Sequence, residues 1–309
     1  METKIIDFFT EDGVKLNGYI KSNKSSKIII SCHGMTSNCF KERDYQIADA
    51  AIENGIDYFS FNSRGSEVVK YVHRYQDGIA SKFLGGTCFE DVREGYYDIK
   101  AAIEEVIARG YEKIYLQGHS LGSTKTLYTY TRLKKEDFIY LENIKGIILL
   151  SLVDIPTAIK AYLGENYEKT YKYAKEKSKN GNVDEIMPEG SFINPISVKT
   201  FLIYTEDNKD IDFAKYSDEN YDFKELNGVD VPLFMRFGNE NEMILQKADD
   251  LVKMLNNKIK KKDKDISYIN GADHSYHGKE RILSNEIVSF IKKYDEEKWY
   301  VRKQQRKNW

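Results

Sequence analysis

The chain has 309 residues, of which 41% are hydrophobic and 31% charged, and its formal net charge is −2 at pH 7. This composition predicts a soluble globular protein and excludes a strong overall attraction to nucleic acid or to an anionic membrane. No apolar run approaches the ~18 residues of a spanning helix, and three cysteines are too few for a disulfide framework. We therefore expect a cytoplasmic protein with no nucleic-acid or membrane partner and with a homodimer as a possible assembly.

Short apolar or alternating segments predict the strands of a sheet. The first two are separated by Glu11-Asp12-Gly13, which is typical of a hairpin turn. The third ends at His33-Gly34. In chain order the predicted strands cover about residues 3–9, 14–21, 27–32, 56–61, 113–117, 144–153, 231–237 and 265–269.

Apolar residues at helical spacing lie between most of these strands. The clearest helix runs from Asp91 to Arg109 and stops at Gly110. Further helices are expected around residues 47–52, 123–133, 248–255 and 283–291. Because strands and helices alternate, the sequence predicts a doubly wound, mostly parallel α/β sheet.

This alternation is interrupted once, which suggests an insertion. We predict core segments at 1–154 and 230–297, a helical cap insertion at 155–229 and a C-terminal tail at 298–309. The tail is interpreted as a frayed, solvated end, with docking on a partner as the alternative. Several cap tyrosines are candidates either for an aromatic pocket or for simple packing: Tyr162, Tyr167, Tyr171 and Tyr173.

A Gly-x-Ser-x-Gly motif spans Gly118 to Gly122 and follows a predicted strand directly before a predicted helix. In this setting the turn is so tight that only glycines fit on either side of the serine. The serine then lies at a helix N-terminus, where developing negative charge is favoured. We therefore predict that Ser120 is the nucleophile of a serine hydrolase, rather than a serine that only caps the helix.

Acyl transfer also needs N–H donors for the oxyanion. The first is expected from the backbone of Leu121, directly after the nucleophile. The second is expected from the loop after the third strand, where His33-Gly34-Met35 makes Met35 the candidate. A plain surface turn is the alternative interpretation of that loop.

A serine hydroxyl needs a general base, and His274 follows the last predicted strand at the same sheet edge as Ser120. His277 is the second choice. The acid that orients the base should follow an earlier strand. We favour Glu242 and keep three alternatives open: Glu240, Asp154 and Asn241.

With these motifs the chain resembles an α/β-hydrolase of the esterase/lipase superfamily, over about residues 27–153 and 231–293. The resemblance rests on His33-Gly34-Met35, Asn62-Ser-Arg64-Gly65, the Ser120 motif and Asp273-His274-Ser275. The chain is also similar to siderophore-esterase-like hydrolases. That narrower similarity rests on Gly85-Gly86, Asp98, Lys125, Met187-Pro188, Pro195-Ile-Ser197 and Glu242.

The resemblance implies hydrolysis of an ester, with the insertion as a cap over the site. Chemically, Ser120 would form an acyl-enzyme on a small-molecule ester and His274 would act as general base. Such a reaction needs no metal and no organic cofactor. The alternatives are an amidase or peptidase with the same triad, and a non-catalytic ligand-binding protein that keeps the fold.

Overall fold

The computed structural model of the protein describes residues 1–206 and 211–305, and side chains up to Asp295. Its strands are β1 (Glu2–Phe9), β2 (Lys15–Ser22), β3 (Lys27–Cys32), β4 (Asp57–Asn62), β5 (Lys70–Gln76), β6 (Ile79–Gly85), β7 (Lys113–His119), β8 (Ile144–Leu150), β9 (Leu233–Gly238) and β10 (Lys264–Ile269). Its α-helices are α1 (Glu42–Glu53), α2 (Gly95–Ala108), α3 (Leu121–Lys135), α4 (Ile155–Leu163), α5 (Tyr167–Lys179), α6 (Val198–Thr205), α7 (Lys224–Asn227), α8 (Ala248–Lys258) and α9 (Glu280–Gln305).

One large sheet contains the strands in the order β1-β2-β4-β3-β7-β8-β9-β10. β2 pairs antiparallel with both β1 and β4, whereas the other neighbouring strands are parallel. In the register of the central pair, Cys32 of β3 lies beside Gly118 of β7. The loops that follow these two strands therefore meet at one edge of the sheet. The predicted doubly wound, mostly parallel α/β fold is confirmed.

Apolar side chains cover both faces of this sheet. Helices α2, α3 and α8 pack on one face, where Ile30 of β3 is buried. Helices α1 and α9 pack on the other face, where the neighbouring Ile29 is buried. Because successive residues of β3 point to opposite covered faces, the strand is apolar on both sides and is visible in the sequence as a continuous run.

The segment between β8 and β9 contributes to two different apolar clusters. Ile159 of α4, Ala174 of α5 and Phe201 of α6 are buried together with Leu121 at the start of α3. Further along the chain, Phe223 belongs to the main core beside the sheet. The helical first part therefore packs next to the Ser120 turn. The predicted cap limits at residues 155 and 229 stay a prediction.

Two features go beyond the sequence expectations. β5 and β6 form a separate hairpin, and Val72 is the one apolar residue of β5 that is buried, so no alternating apolar pattern marked these strands. Helix α9 extends to Gln305, into the predicted tail at 298–309, of which residues 306–309 lie outside the described residues.

Within the described ranges, no helix is both long and apolar enough to cross a membrane.

Candidate active site

The turn between β7 and α3 gives Ser120 a strained backbone. Its φ is 55° and its ψ −124°, and its N–H donates to the Leu150 carbonyl of β8 at 2.8 Å. A Cβ on Gly118 would lie 2.2 Å from the Gly122 carbonyl oxygen, and one on Gly122 would lie 2.2 Å from the Cys32 carbonyl oxygen. Since side chains cannot approach so closely, both flanking positions require glycine. The motif therefore produces the turn that presents Ser120 above the sheet edge.

The loop after β3 lies directly against this turn. A Cβ on Gly34 would be 3.0 Å from the Cβ of Ser120, so a larger residue there would crowd the serine. Leu121 is the first residue of α3, where a backbone N–H has no partner within the helix. In the described part of the chain, neither the Met35 N–H nor the Leu121 N–H has a hydrogen-bond acceptor. Both are free to bind an oxyanion, and their role stays a prediction.

His33 is buried beneath the same loop and supports its shape. Its Nδ1–H donates to the Gly34 carbonyl at 2.8 Å, and its Nε2 accepts the Ser63 N–H at 3.1 Å. Burial, together with the positive charge of Lys125, lowers the pKa of His33 to about 3. The ring is therefore neutral, with its proton on Nδ1, and fixes the loop that contains Met35.

The neutral state of His33 predicts a loss of stability in acid. In the unfolded chain the imidazole binds a proton below a pKa of about 6.5, whereas in the folded chain it stays neutral down to about 3. The contribution of His33 to the free energy of unfolding is therefore complete above pH 6.5, and it decreases as the pH falls towards 3. We expect its share of the unfolding free energy to fall by about 1.4 kcal/mol per pH unit in that window.

Urea denaturation between pH 7 and pH 4 measures this effect as a difference between variants. His33→Gln should reduce the pH dependence of the unfolding free energy by about that slope, because glutamine does not titrate. His73→Gln is the matched control, since His73 is exposed on β5. An unchanged slope in His33→Gln would contradict a neutral His33.

Glu242 and His274 come together from the loops after β9 and β10. Glu242 Oε1 is hydrogen-bonded to His274 Nδ1, and Oε2 accepts the Gly238 N–H at 2.7 Å and the Ser151 hydroxyl at 2.8 Å. Its side chain is only 2% exposed. Burial alone raises the pKa of Glu242, but the hydrogen bond and charge of His274, with the two other donors, lower it overall. The carboxylate is thus ionised and can hold the proton of His274 on Nδ1.

Among the described residues, none of the three alternatives to Glu242 is hydrogen-bonded to His274. Asp154 caps α4, where its carboxylate accepts the N–H groups of Thr157 at 3.2 Å and Tyr216 at 3.1 Å. Glu240 is exposed, and Asn241 occupies a left-handed turn with φ of 50°. The role of Glu242 as triad acid stays a prediction, but the contacts favour it over the alternatives.

The other histidines near the site have different partners. His277 hydrogen-bonds Asp273 at 2.7 Å and its side chain is 75% exposed. His119 is buried, and its Nε2–H donates to the backbone carbonyl of His274 at 2.7 Å. Burial and the nearby charge of Arg43 hold the pKa of His119 well below its usual value. His119 therefore supports the His274 loop as a neutral ring.

A cavity of about 530 Å³ opens onto this cluster of loops, and Ser120 and His274 both line it. Gly34, Met35 and Leu121 form part of the same wall. Mainly apolar residues of the segment after β8 also line the cavity: Val153, Ile155, Ala158, Ile159, Tyr162, Phe192 and Ile193. The structure thus brings the predicted nucleophile, base and oxyanion donors to one cavity.

Of the four cap tyrosines singled out in the sequence, Tyr162 lines the cavity. Tyr167 and Tyr171 stack with ring centroids 6.0 Å apart, and both pack with Tyr173 against the apolar cluster of α4, α5 and α6. These three rings therefore belong to the packing of that cluster, and the pocket role of the cap tyrosines stays a prediction. Among the described residues, no group of three or more His, Cys, Asp and Glu side chains has an arrangement suited to a metal ion.

Two residues at the site were missed in the sequence. Ser151 follows β8 with φ of 49°, and its hydroxyl contacts Glu242. Arg43, near the start of α1, lines the cavity although it is buried. The left-handed backbone of Ser151 directly after β8 is what marks it as unusual. A backbone angle cannot be read from the sequence, so nothing pointed to Ser151. An arginine at a helix start is ordinarily exposed, so nothing marked Arg43.

A family model described as a protein of unknown function, DUF1749, matches residues 88–294, which is more than half of the chain. The chain belongs to this family. The matched region of the DUF1749 chain includes Ser120, Glu242 and His274. No curated protein matches the DUF1749 chain.

Solved structures resemble the DUF1749 chain over nearly its whole length. Est1E from Butyrivibrio proteoclasticus, solved with ferulic acid bound, is 15% identical with a TM-score of 0.64, covering 94% of this chain and 98% of its own. The Pyrococcus furiosus esterase Pf2001 is 16% identical with a TM-score of 0.58, covering 94% and 92%. A soluble variant of Saccharomyces cerevisiae monoglyceride lipase, in complex with a substrate analog, is 15% identical with a TM-score of 0.58, covering 93% and 94%.

These similarities confirm the predicted α/β-hydrolase fold of the DUF1749 chain. At such identities they concern the fold, and activity has to be argued from the site itself. The narrower similarity to siderophore-esterase-like hydrolases stays a prediction.

Proposed function

We propose that the protein is a serine hydrolase that cleaves carboxylic esters of small molecules. The observation that supports this most strongly is the shared cavity of Ser120 and His274, with the buried Glu242 carboxylate on Nδ1 of His274. A strained serine, an ionised acid and a histidine, in this order along the chain, are the parts of acyl transfer on this fold. The esterase and lipase names of the structural neighbours agree with the proposal.

In the proposed reaction, Ser120 Oγ attacks the ester carbonyl and His274 Nε2 accepts its proton. Glu242 stabilises the resulting imidazolium through Nδ1–H. The N–H groups of Met35 and Leu121 bind the oxyanion of the tetrahedral intermediate. His274 then protonates the leaving alkoxide, and a water molecule hydrolyses the acyl-enzyme. No metal or organic cofactor takes part in these steps.

We also propose that residues 155–229 act as a cap that shapes the substrate pocket. Support comes from Ile155, Tyr162 and Phe192, which line the same cavity as Ser120. A cytoplasmic location is part of the proposal, because Cys32, Cys39 and Cys88 are buried free thiols, as is usual in reducing compartments. The homodimer and the absence of a nucleic-acid partner stay predictions.

A substrate panel tests the reaction class. We expect p-nitrophenyl esters of short and medium acyl chains to be cleaved with a higher kcat/KM than the matching p-nitroanilides. An alkoxide leaves more readily than an amine, which has to be protonated first. A fluorophosphonate probe should label the folded protein once per chain, on Ser120, as mass spectrometry of the digest would show.

The same panel contains the results that would contradict the proposal. Anilide cleavage at least as efficient as ester cleavage would indicate an amidase or peptidase. No turnover of either series, together with no labelling of Ser120 in folded protein, would indicate a binding protein that keeps the fold.

A further inference from the structure

The start of helix α1 forms another part of the cavity wall. Lys41, Glu42 and Arg43 all line the space that contains Ser120 and His274. Lys41 and Glu42 are exposed, whereas the Arg43 side chain is only 6% exposed. The buried guanidinium therefore differs from its neighbours and needs partners of its own.

Arg43 has fewer partners than a buried guanidinium requires. Its Nη2 donates to Asp44 Oδ2 at 3.0 Å. Its Nε is buried and, among the described residues, has no hydrogen-bond partner. A guanidinium has five N–H donors, and leaving such donors unpaired in a buried place is costly. Because Arg43 also lines the cavity, a molecule bound there is a source of the acceptors that the protein does not supply.

The neighbouring carboxylates do not complete this pairing. Asp44 Oδ1 already accepts hydrogen bonds from Ser31 at 2.9 Å and Tyr58 at 2.7 Å, so its charge is shared among three donors. Glu42, which also lines the cavity, accepts from Gln46 at 2.7 Å. Glu280 lines the cavity from the start of α9. Arg43 is thus the buried cation of the cavity lining, whereas Glu42 is exposed and Glu280 is half-buried.

Another part of the cavity lining differs from the start of α1. Val153, Ile155, Ala158 and Ile159 give it an apolar surface with Phe192. A molecule that fills the cavity would therefore place an apolar part under the cap and a polar part against α1. A carboxylate matches a guanidinium best, because two parallel charge-assisted hydrogen bonds form between them.

Resting on the proposed ester hydrolysis, we propose that the substrate bears a carboxylate that binds Arg43. Arg43 is then a specificity residue, while the apolar part of the substrate lies against the cap segment. The carboxylate belongs either to the acyl chain or to the alcohol, and both forms share this chemistry.

Two matched substrate pairs test the proposal. The first pair is p-nitrophenyl hydrogen adipate and its neutral methyl ester. The second is the hexanoyl ester of m-hydroxybenzoate and that of methyl m-hydroxybenzoate. We expect the unsubstituted protein to prefer the anionic member of at least one pair by roughly 10- to 100-fold in kcat/KM. This factor corresponds to the usual strength of hydrogen bonds to charged groups. The pair in which the anionic member is preferred shows whether the carboxylate belongs to the acyl chain or to the alcohol.

Variants connect the preference to Arg43. Arg43→Met should remove most of the preference while the neutral ester is still hydrolysed. Lys41→Met removes an exposed charge from the same wall and should change the preference by less than about fivefold. Because Arg43→Met leaves Asp44 without its cation, the double variant Arg43→Met/Asp44→Asn repeats the test with that charge removed.

The outcomes separate this inference from the proposed function. Hydrolysis of neutral esters with no preference in either pair would overturn the role of Arg43 and leave the ester hydrolase intact. An equal loss of both members of a pair in Arg43→Met and in the double variant would show a structural role only. No turnover of any ester by the unsubstituted protein would overturn the proposed function, and this inference with it.

Discussion

The Ser120→Ala variant should lose at least about 10³-fold of kcat in ester hydrolysis, as removal of a triad nucleophile does elsewhere. Alanine keeps the turn compact but removes the oxygen that forms the acyl-enzyme. The cavity wall is otherwise unchanged, so KM should change much less than kcat. Initial rates on a p-nitrophenyl ester measure both constants.

Ser275→Ala provides a matched control for this experiment. Ser275 lines the same cavity beside His274, but it does not follow a strand in a glycine-flanked turn. It should keep most of the turnover and all of the fluorophosphonate labelling. If Ser120→Ala kept near-normal turnover, or if the probe labelled it as strongly as the unsubstituted protein, Ser120 would not be the nucleophile.

The parts of the site that were predictable from sequence depend on local constraints. Gly118 and Gly122 are required by backbone contacts shorter than any side chain permits, and such positions are recognisable as a motif. β3 and β7 are buried on both faces, so their apolar residues were visible as short runs. Because both strands are parallel neighbours, the edge at which Ser120 and Met35 meet followed from their order.

The rest of the site depends on contacts between distant segments. Ser151 and Glu242 are 91 residues apart, and their hydrogen bond exists only because β8 and β9 are neighbours. The run from Gly238 to Met243 contains two glutamates and two asparagines, and the left-handed turn at Asn241 and the hydrogen bonds of Glu242 distinguish them. Burial of Arg43 likewise depends on how α1 packs beside the site. None of these features can be read from the local sequence.

Glu242→Gln should lose about 10³- to 10⁴-fold of kcat, comparable with amide replacements of triad acids in other hydrolases. The carboxylate is buried and ionised, and its pKa is held below the ordinary value, with burial opposed by the His274, Gly238 and Ser151 contacts. Glutamine keeps the shape but removes the charge that stabilises the imidazolium. Its amide N–H also favours the wrong tautomer of His274.

Three parallel variants make this result specific to Glu242. Glu240→Gln and Asn241→Asp alter the exposed neighbours, and Asp154→Asn alters the carboxylate that caps α4. All three should retain most of kcat, although Asp154→Asn replaces the oxygen that accepts the Tyr216 N–H by an amide NH₂ group and should lower stability by about 1 kcal/mol. A loss of kcat in Asp154→Asn matching that expected for Glu242→Gln, in protein that remains folded, would transfer the acid to α4. Because the Glu242 contacts are made only through the loops after β8, β9 and β10, such a result would require the loops to rearrange during catalysis.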